Sequence, residues 1–288
     1  VTEPLVVIVG PTASGKSAFA MQIAKKFDGE IICADSRTIY KEMDIGTAKP
    51  TKAEQQSVKH HLLDIVYPNQ PFTVADFKRL ANDSIKEVWA RGKLPIMVGG
   101  SGLYVDSILF DYKFGDPSNV ALRNELSTKT VEELQALCRD KNIDLPENFM
   151  NKRYLIRTIE LGGPLRQAKV LRANTIVVGI TTEKETLQLR IEKRAAQMVK
   201  EGIVEEVRML GQKYGWDCEA MKGDIYRTFR PVVEGNASLQ EGLASVIASD
   251  KKLVKKQLTW FKRNPNIIWG DPHSLVSPIE QFIKSIKR

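Results

Sequence analysis

The chain has 288 residues, 42% of them hydrophobic and 27% charged, enough to bury a core in one large or two small domains, which excludes a disordered tract. Three well-separated cysteines (Cys33, Cys138, Cys218) with no C-x-x-C, and three histidines (His60, His61, His273) without ligand spacing, exclude a disulfide framework and a zinc module. The net charge of +8 fits a polyanionic partner without demonstrating one, and no apolar run approaches the roughly 20 residues of a membrane helix, so a soluble cytoplasmic protein is expected.

LVVIV (5–9), short, β-branched and bounded by Pro4 and Gly10, reads as a buried strand. It runs into GPTASGKS (10–17), which fits G-x-x-x-x-G-K-[ST]. After it Phe19, Ala20, Ile23, Ala24 and Phe27 recur at helical spacing over 16–26. The loop therefore sits between a strand and a helix, the context that phosphate binding requires. EIICADS (30–36) and LPIMV (94–98) are further apolar runs, the second ending in GGSG. Between them Thr73 and Asp76 form a capping-box signal for a helix to about Arg91, stopped by Gly92. From about Tyr112, turn-rich KFGDPSNV and the amphipathic TVEELQALCRDKNI (130–143) predict a small helical insertion domain over 112–170, with 1–111 and 171–288 as the core. TIVVGI (175–180) returns to strand character. Glu183 to Tyr214 reads as helical with a break near Gly202, and a last helix runs from about Ser238 to Arg263. This alternation predicts an α/β fold of the P-loop NTPase-like kind, a parallel sheet flanked by helices. Ligands of such sheets collect outside the carboxyl ends of the strands, where the loop, Asp35 and Ser101 would share an edge.

Gly10 and Gly15 permit a backbone curl that turns successive N–H groups inward, so that the loop residues Thr12, Ala13 and Ser14 would line a phosphate, and the adjoining helix adds its partial positive charge. Lys16 can place an ammonium on terminal phosphates and Ser17 can hold Mg²⁺. From the residues alone, Asp35 reads either as a Mg²⁺ partner of an ordinary kinase or as a general base facing the phosphates. GGSG around Ser101 is a tight turn or a close approach to ligand. Arg194, one helical turn from Arg190, is a solvated side chain or a second cation for a leaving group. DKKLVKKQLTWFKR (250–263) sets six cations against Asp250 alone, a strip suited to a nucleic-acid backbone or a solvated helix face; Trp260 and Phe261 read as core contacts.

Taken together, GPTASGKS, ADSRTIYKEMDIGTAKP (34–50), HHLLDIVYPNQPFTVADF (60–77), GGSGLY (99–104), RTIEL (157–161), RIEKRAAQMVKEGIVEEV (191–208) and KKQLTWFKR (255–263) resemble the bacterial-type tRNA dimethylallyltransferases, or tRNA isopentenyltransferases. The resemblance extends from about Leu5 to Asn264, and the zinc finger of eukaryotic members has no counterpart. It implies that the loop from Gly10 to Ser17 holds the diphosphate of dimethylallyl diphosphate rather than ATP, with Lys16, Arg194 and Mg²⁺ on Ser17 binding the leaving group. Asp35 would take a proton from N6 of adenosine 37, next to the anticodon, as that nitrogen attacks the allylic carbon, with Ser101 positioning the reacting groups. The adenine would be flipped from its stack. By the same resemblance Asp35, Ser36, Arg37 and Thr38, and the segment Arg153, Tyr154, Leu155, Ile156 and Arg157, face the tRNA. The insertion would grip the anticodon stem-loop, with Lys252, Lys255 and Lys256 adding phosphate contacts. The pattern departs at Ile225, where the family generally has glycine, and at Lys252, where arginine is common. Competing readings are an adenylate prenyltransferase acting on free AMP or ATP, a small-molecule P-loop kinase, and a nucleotide-gated RNA-binding protein without catalysis. A kinase has no use for MDIGTAKP, QLTWF or the basic helix, and the Lys16, Asp35 and Arg194 set argues for catalysis. With no long exposed apolar seam evident, a monomer is expected.

Overall fold

β-Branched runs closed off by turn residues make the strands, and capping residues punctuate the helices between them. The computed structural model describes residues 2–116, 119–165, 167 and 170–286. β1 (Leu5–Val9) leads into α1 (Lys16–Lys26), β2 (Gly29–Cys33), the short α2 (Lys52–Ser57), the two-residue β3 (His60–His61), α3 (Val74–Ala90), β4 (Leu94–Gly99) and α4 (Gly102–Leu109). Three helices come next: α5 (Val120–Ser127), α6 (Val131–Asp140) and α7 (Lys152–Leu161). The chain then forms β5 (Thr175–Ile180), α8 (Lys184–Glu201), α9 (Ile203–Tyr214), α10 (Asp224–Val233), α11 (Leu239–Phe261), β6 (Ile267–Gly270) and α12 (Val276–Ile286).

Among the described residues six strands form one all-parallel sheet in the order β3-β2-β4-β1-β5-β6. Both faces are covered, which is why β1, β2 and β4 are buried at every position. Successive side chains alternate between faces. Val6 and Ile8 join Ile31, Ile96, Val98 and Val178 against Phe19, Ala20 and Ile23 of α1 and Ile279 and Ile283 of α12. On α3, Phe77, Ala81, Ile85 and Val88 make the buried stripe, and the capping box of Thr73 and Asp76 fixes its start. Arg91 is its C-cap, and Gly92 comes next in the left-handed region at φ 73°.

Contacts divide the chain into two compact units, one running up to Leu109 and resuming at Leu171, the other Phe110–Val170. The smaller unit is α5 to α7 around Leu126, Leu134, Cys138, Leu155, Ile156 and Ile159. In the larger unit a second core gathers α8 to α11 around Met198, Val207, Leu210, Tyr226 and Phe229, and the loop residues Ile39, Tyr40 and Met43 pack into it. Ile225 is buried in this core, so the side chain at the departure from the family pattern is a packing residue. Gly202, at φ 95°, ends α8 and starts α9, which is the expected break. Among the described residues no helix is long and apolar enough to cross a membrane.

Candidate active site

Parallel pairing sends the carboxyl ends of β1, β2, β4 and β5 to one edge of the sheet, and the site is built from the segments into which these strands lead. After β1, the amide of Ser14 bonds the Pro11 carbonyl at 3.3 Å, closing a curl that ends at Gly15. Gly15 has φ 90°, a conformation open to glycine, and it is the N-cap of α1 without any side-chain cap, so the first-turn N–H groups of that helix are left for a ligand. An anion there meets both those donors and the positive end of the helix dipole. Lys16 Nζ donates to the Pro11 carbonyl at 3.1 Å. Ser17, exposed in the first turn of α1, places its hydroxyl at the same end of the helix.

Helix α8 closes over this loop. Arg194 donates through one terminal nitrogen to Thr12 Oγ1. Arg190 donates to the carbonyls of Ser14 (3.1 Å) and Ala13 (3.5 Å). Thr182, just past β5, donates to Ser14 O at 3.2 Å. Ala13 packs against Leu187, Ile191 and Val254. Two polar atoms are buried here without a hydrogen-bond partner among the described residues, Ser14 Oγ and Arg194 Nε. Buried polar atoms are ordinarily satisfied, so an orphaned hydroxyl on the loop and an orphaned guanidinium N–H on the helix over it fit an oxygen-rich anionic ligand.

The acceptor edge lies beyond β2 and β4. Asp35 Oδ1 accepts the Arg37 amide at 2.8 Å, an Asx turn that fixes the carboxylate just past the strand. Because β2 and β4 are neighbours, Ser101 reaches across: its Oγ accepts the Ser36 amide at 3.0 Å and lies 3.3 Å from Ser36 Oγ. The Ser101 amide bonds Ala34 O at 3.4 Å. Asp35 and the loop interact electrostatically. Loss of water around the Lys16 ammonium pushes its pKa down to about 8, with the like charge of Arg194 adding to that effect and Asp35 and Asp250 opposing it. Burial raises the pKa of Asp250, while Arg194 pulls it down.

The structure thus brings together Gly10 to Ser17, Asp35, Ser36, Ser101 and Arg194. Arg37 is held by the Glu219 carbonyl at 3.0 Å, and Thr38 is buried with its hydroxyl unpartnered. Lys252, Lys255 and Lys256 are exposed on α11 and make no ion pair among the described residues, whereas Lys251 lies 3.8 Å from Glu192. The segment 153–157 belongs to the smaller unit and divides. Arg153 and Tyr154 are exposed. Leu155 and Ile156 point into that unit's core, since their spacing matches its buried stripe on α7, so their side chains do not offer a surface to RNA. Arg157 is occupied by Glu160 and by the carbonyls of Phe114 and Asp116.

Sequence reasoning gave Asp250 and Gln257 no part in the site. Both lie on the inward stripe of α11 with Val246, Val254 and Phe261, and polar residues on an apolar stripe were the available signal. It also passed over Glu206 of α9, whose carboxyl accepts the amides of Asp44 (3.0 Å), Ile45 (2.8 Å) and Gly46 (2.9 Å) and the Tyr226 hydroxyl (2.8 Å). Phe261 is a buried core contact as expected, whereas Trp260 is half-buried, its ring against Gly102 and its Nε1 donating to Asp106 at 2.8 Å.

Comparison with known proteins agrees with this geometry. The sequence profile described as IPP transferase matches residues 38–264. A protein of Geobacillus thermodenitrificans named tRNA dimethylallyltransferase is 38% identical, the match covering 99% of this chain and 96% of that one. The crystal structure of a full-length tRNA isopentenylpyrophosphate transferase from Bacillus halodurans superposes with a TM-score of 0.75 at 34% identity, covering 98% of this chain and 96% of the other. A eukaryotic dimethylallyltransferase shares the fold, with a TM-score of 0.80 at 21% identity over 94% of this chain and 74% of its own. With the profile spanning most of its length and relatives above 30% identity over nearly all of it, this chain belongs to the IPP transferase family.

Proposed function

We propose that this chain transfers a dimethylallyl group from dimethylallyl diphosphate to tRNA, at N6 of the adenosine next to the anticodon, releasing diphosphate. The observation that carries the reading is the convergence on Lys16 of the charges of Asp35 and Arg194, with Arg194 bonded to Thr12 of the loop, which sets a carboxylate beside a cradle for a polyanion. The names of relatives covering nearly the whole chain support the same transfer.

In this reading the diphosphate lies in the loop, on the N–H groups at the start of α1, with Lys16 and Arg194 against its oxygens. The N6 lone pair forms a bond to the allylic C1 as the bond from C1 to oxygen breaks, and the electron pair leaves on diphosphate. Asp35 takes the proton that N6 loses. Ser101, bonded to Ser36, holds the turn that aims Asp35. Ser17 would hold Mg²⁺. A hydroxyl together with diphosphate oxygens is a hard donor set suited to that ion, and among the described residues no cluster of His, Cys, Asp and Glu forms a metal site of its own. Bound there, Mg²⁺ would supply further charge neutralisation to the leaving group. Arg153, Tyr154 and the lysines of α11 are the exposed candidates for RNA contact, and the smaller unit would take the anticodon stem-loop.

The test incubates the protein with dimethylallyl diphosphate, Mg²⁺ and either an anticodon stem-loop with consecutive adenosines or free AMP. Prenylated stem-loop is the expected product. Prenylated AMP alone would sink the tRNA reading, and consumption of ATP with a phosphorylated product would sink prenyl transfer. Asp35→Asn keeps an oxygen to accept the Arg37 amide, so the turn survives and the base is lost. Transfer should fall by about 10²- to 10⁴-fold with stem-loop binding nearly unchanged. Equal loss of binding would make Asp35 a recognition residue.

A further inference from the structure

Helix α11 carries the cations Lys255 and Lys256 and, directly after them, Gln257, which turns toward the sheet edge. Its amide is used at both ends. Gln257 Oε1 accepts the amide of Thr12 in the phosphate loop at 2.8 Å, and its Nε2 donates to the Gly100 carbonyl at 3.0 Å. Gly100 immediately precedes Ser101, which bonds Ser36 beside Asp35. One side chain therefore spans the donor loop after β1 and the acceptor edge after β4. The approach is close: a Cβ at position 100 would lie 2.3 Å from Gln257 Nε2, and one at position 102 would lie 2.4 Å from the Trp260 ring. Trp260, one turn further along α11, anchors the same face through Asp106 of α4.

A glutamate lacks the donor for Gly100, a lysine lacks the acceptor for Thr12, and asparagine is one methylene short. We propose that Gln257 is a positioning residue: its amide sets the spacing between the loop that holds the prenyl diphosphate and the strand edge that carries Asp35 and Ser101, so that donor and acceptor meet at reacting distance. This rests on the prenyl-transfer function proposed for the same site. Reaction rate is steep in that spacing, because a displacement of about 1 Å costs on the order of 10²-fold.

Three variants test it. Gln257→Met keeps length and apolar packing but makes neither bond. Gln257→Asn keeps the amide but cannot bridge. Gly100→Ala leaves Gln257 intact and pushes its amide aside from the other partner. Each should lower kcat for stem-loop prenylation by about 10- to 100-fold, while KM for the stem-loop stays within about twofold and the thermal midpoint falls by only a few degrees, as expected for the loss of one or two partly buried hydrogen bonds. Gln257→Met combined with Gly100→Ala should be no slower than the worse single variant, since both remove one linkage. Folded variants with the parent kcat, losses that multiply in the double variant, or a loss confined to stem-loop KM would each overturn the proposal. Should the methionine variant fail to fold, the asparagine and alanine variants decide by the same kcat criterion. A parent protein that transfers no prenyl group overturns the activity and this inference together, whereas an active parent with unaffected variants overturns this inference alone.

Discussion

Lys16 serves two opposed requirements. It must be charged to hold a polyanion, yet the surroundings that exclude water from the site also disfavour its charge, which is why its pKa falls from 10.5 to about 8. This depression sets the sign of the pH dependence. In the free protein the ammonium loses its proton as pH rises through about 8, so affinity for inorganic pyrophosphate should weaken above that pH, approaching about tenfold per unit from this group alone. Stability responds in the opposite direction: between about 8 and 10.5 the unfolded chain holds more protons at this position, so the contribution of Lys16 to folding stability rises with pH across that window. Pyrophosphate titration calorimetry from pH 7 to 9.5 reads the first effect. Lys16→Arg keeps its charge throughout and should flatten the profile, and a parent affinity that is flat above pH 8 would contradict the assigned cause. The lysine itself was legible in GPTASGKS. Its depressed pKa was not, because the burial that chiefly causes it, and the nearby charge of Arg194 that adds to it, arise only when α8 and α11, far along the chain, close over the loop.

At the scale of elements, what a sequence reveals depends on how much each segment buries by itself. β1, β4 and β5 are nearly continuous apolar runs because helices cover both faces, β2 departs only at the buried Glu30, and α3 announces itself through a capping box. β3 has two residues and β6 four, one of them exposed, so neither carries a pattern; pairing with β2 and β5 makes them strands. MDIGTAKP was legible as a family fingerprint and illegible as chemistry. The structure gives its physical content: Lys49 bonds the Tyr40 carbonyl at 2.9 Å and pairs with Asp64 and Asp44, while α9 holds the Asp44 to Gly46 backbone through Glu206. This segment comes directly after the Asp35 turn, and its loss would loosen the acceptor edge. Glu206→Ala would leave three amides and the Tyr226 hydroxyl without their acceptor and should cost roughly 3 kcal/mol of stability. Tyr226→Phe removes one of the four bonds and should cost about 1 kcal/mol. Urea denaturation of both variants gives the comparison, and a Glu206→Ala loss no larger than that of Tyr226→Phe would show the loop to be held elsewhere.

For the whole molecule the question is what the excess of eight positive charges does. Residues 110–170 contain ten Lys and Arg against nine Asp and Glu, so seven of the eight lie in the larger unit. Within the smaller unit Arg123 and Arg157 share Glu160, and Lys113 pairs with Asp111, so three of its ten cations are spent internally. On α11, by contrast, Lys252, Lys255 and Lys256 stand exposed on the helix whose inward face supplies Gln257 and Asp250 to the site. A lysine that contacts phosphate releases a counterion, and each such contact contributes about 0.7 to 0.9 to the slope of log affinity against log salt. Lys255→Ala combined with Lys256→Ala should therefore weaken stem-loop binding and lower that slope by up to about 1.8. The control removes two charges elsewhere in the same unit, Lys25→Ala with Lys86→Ala, both exposed and on helices that flank the sheet. Net charge changes equally in the two double variants, so long-range attraction predicts equal effects, whereas phosphate contact along α11 predicts a reduced slope only in the first. Filter binding between 50 and 300 mM salt separates these outcomes, and matching slopes would mean that the basic helix attracts RNA without touching it.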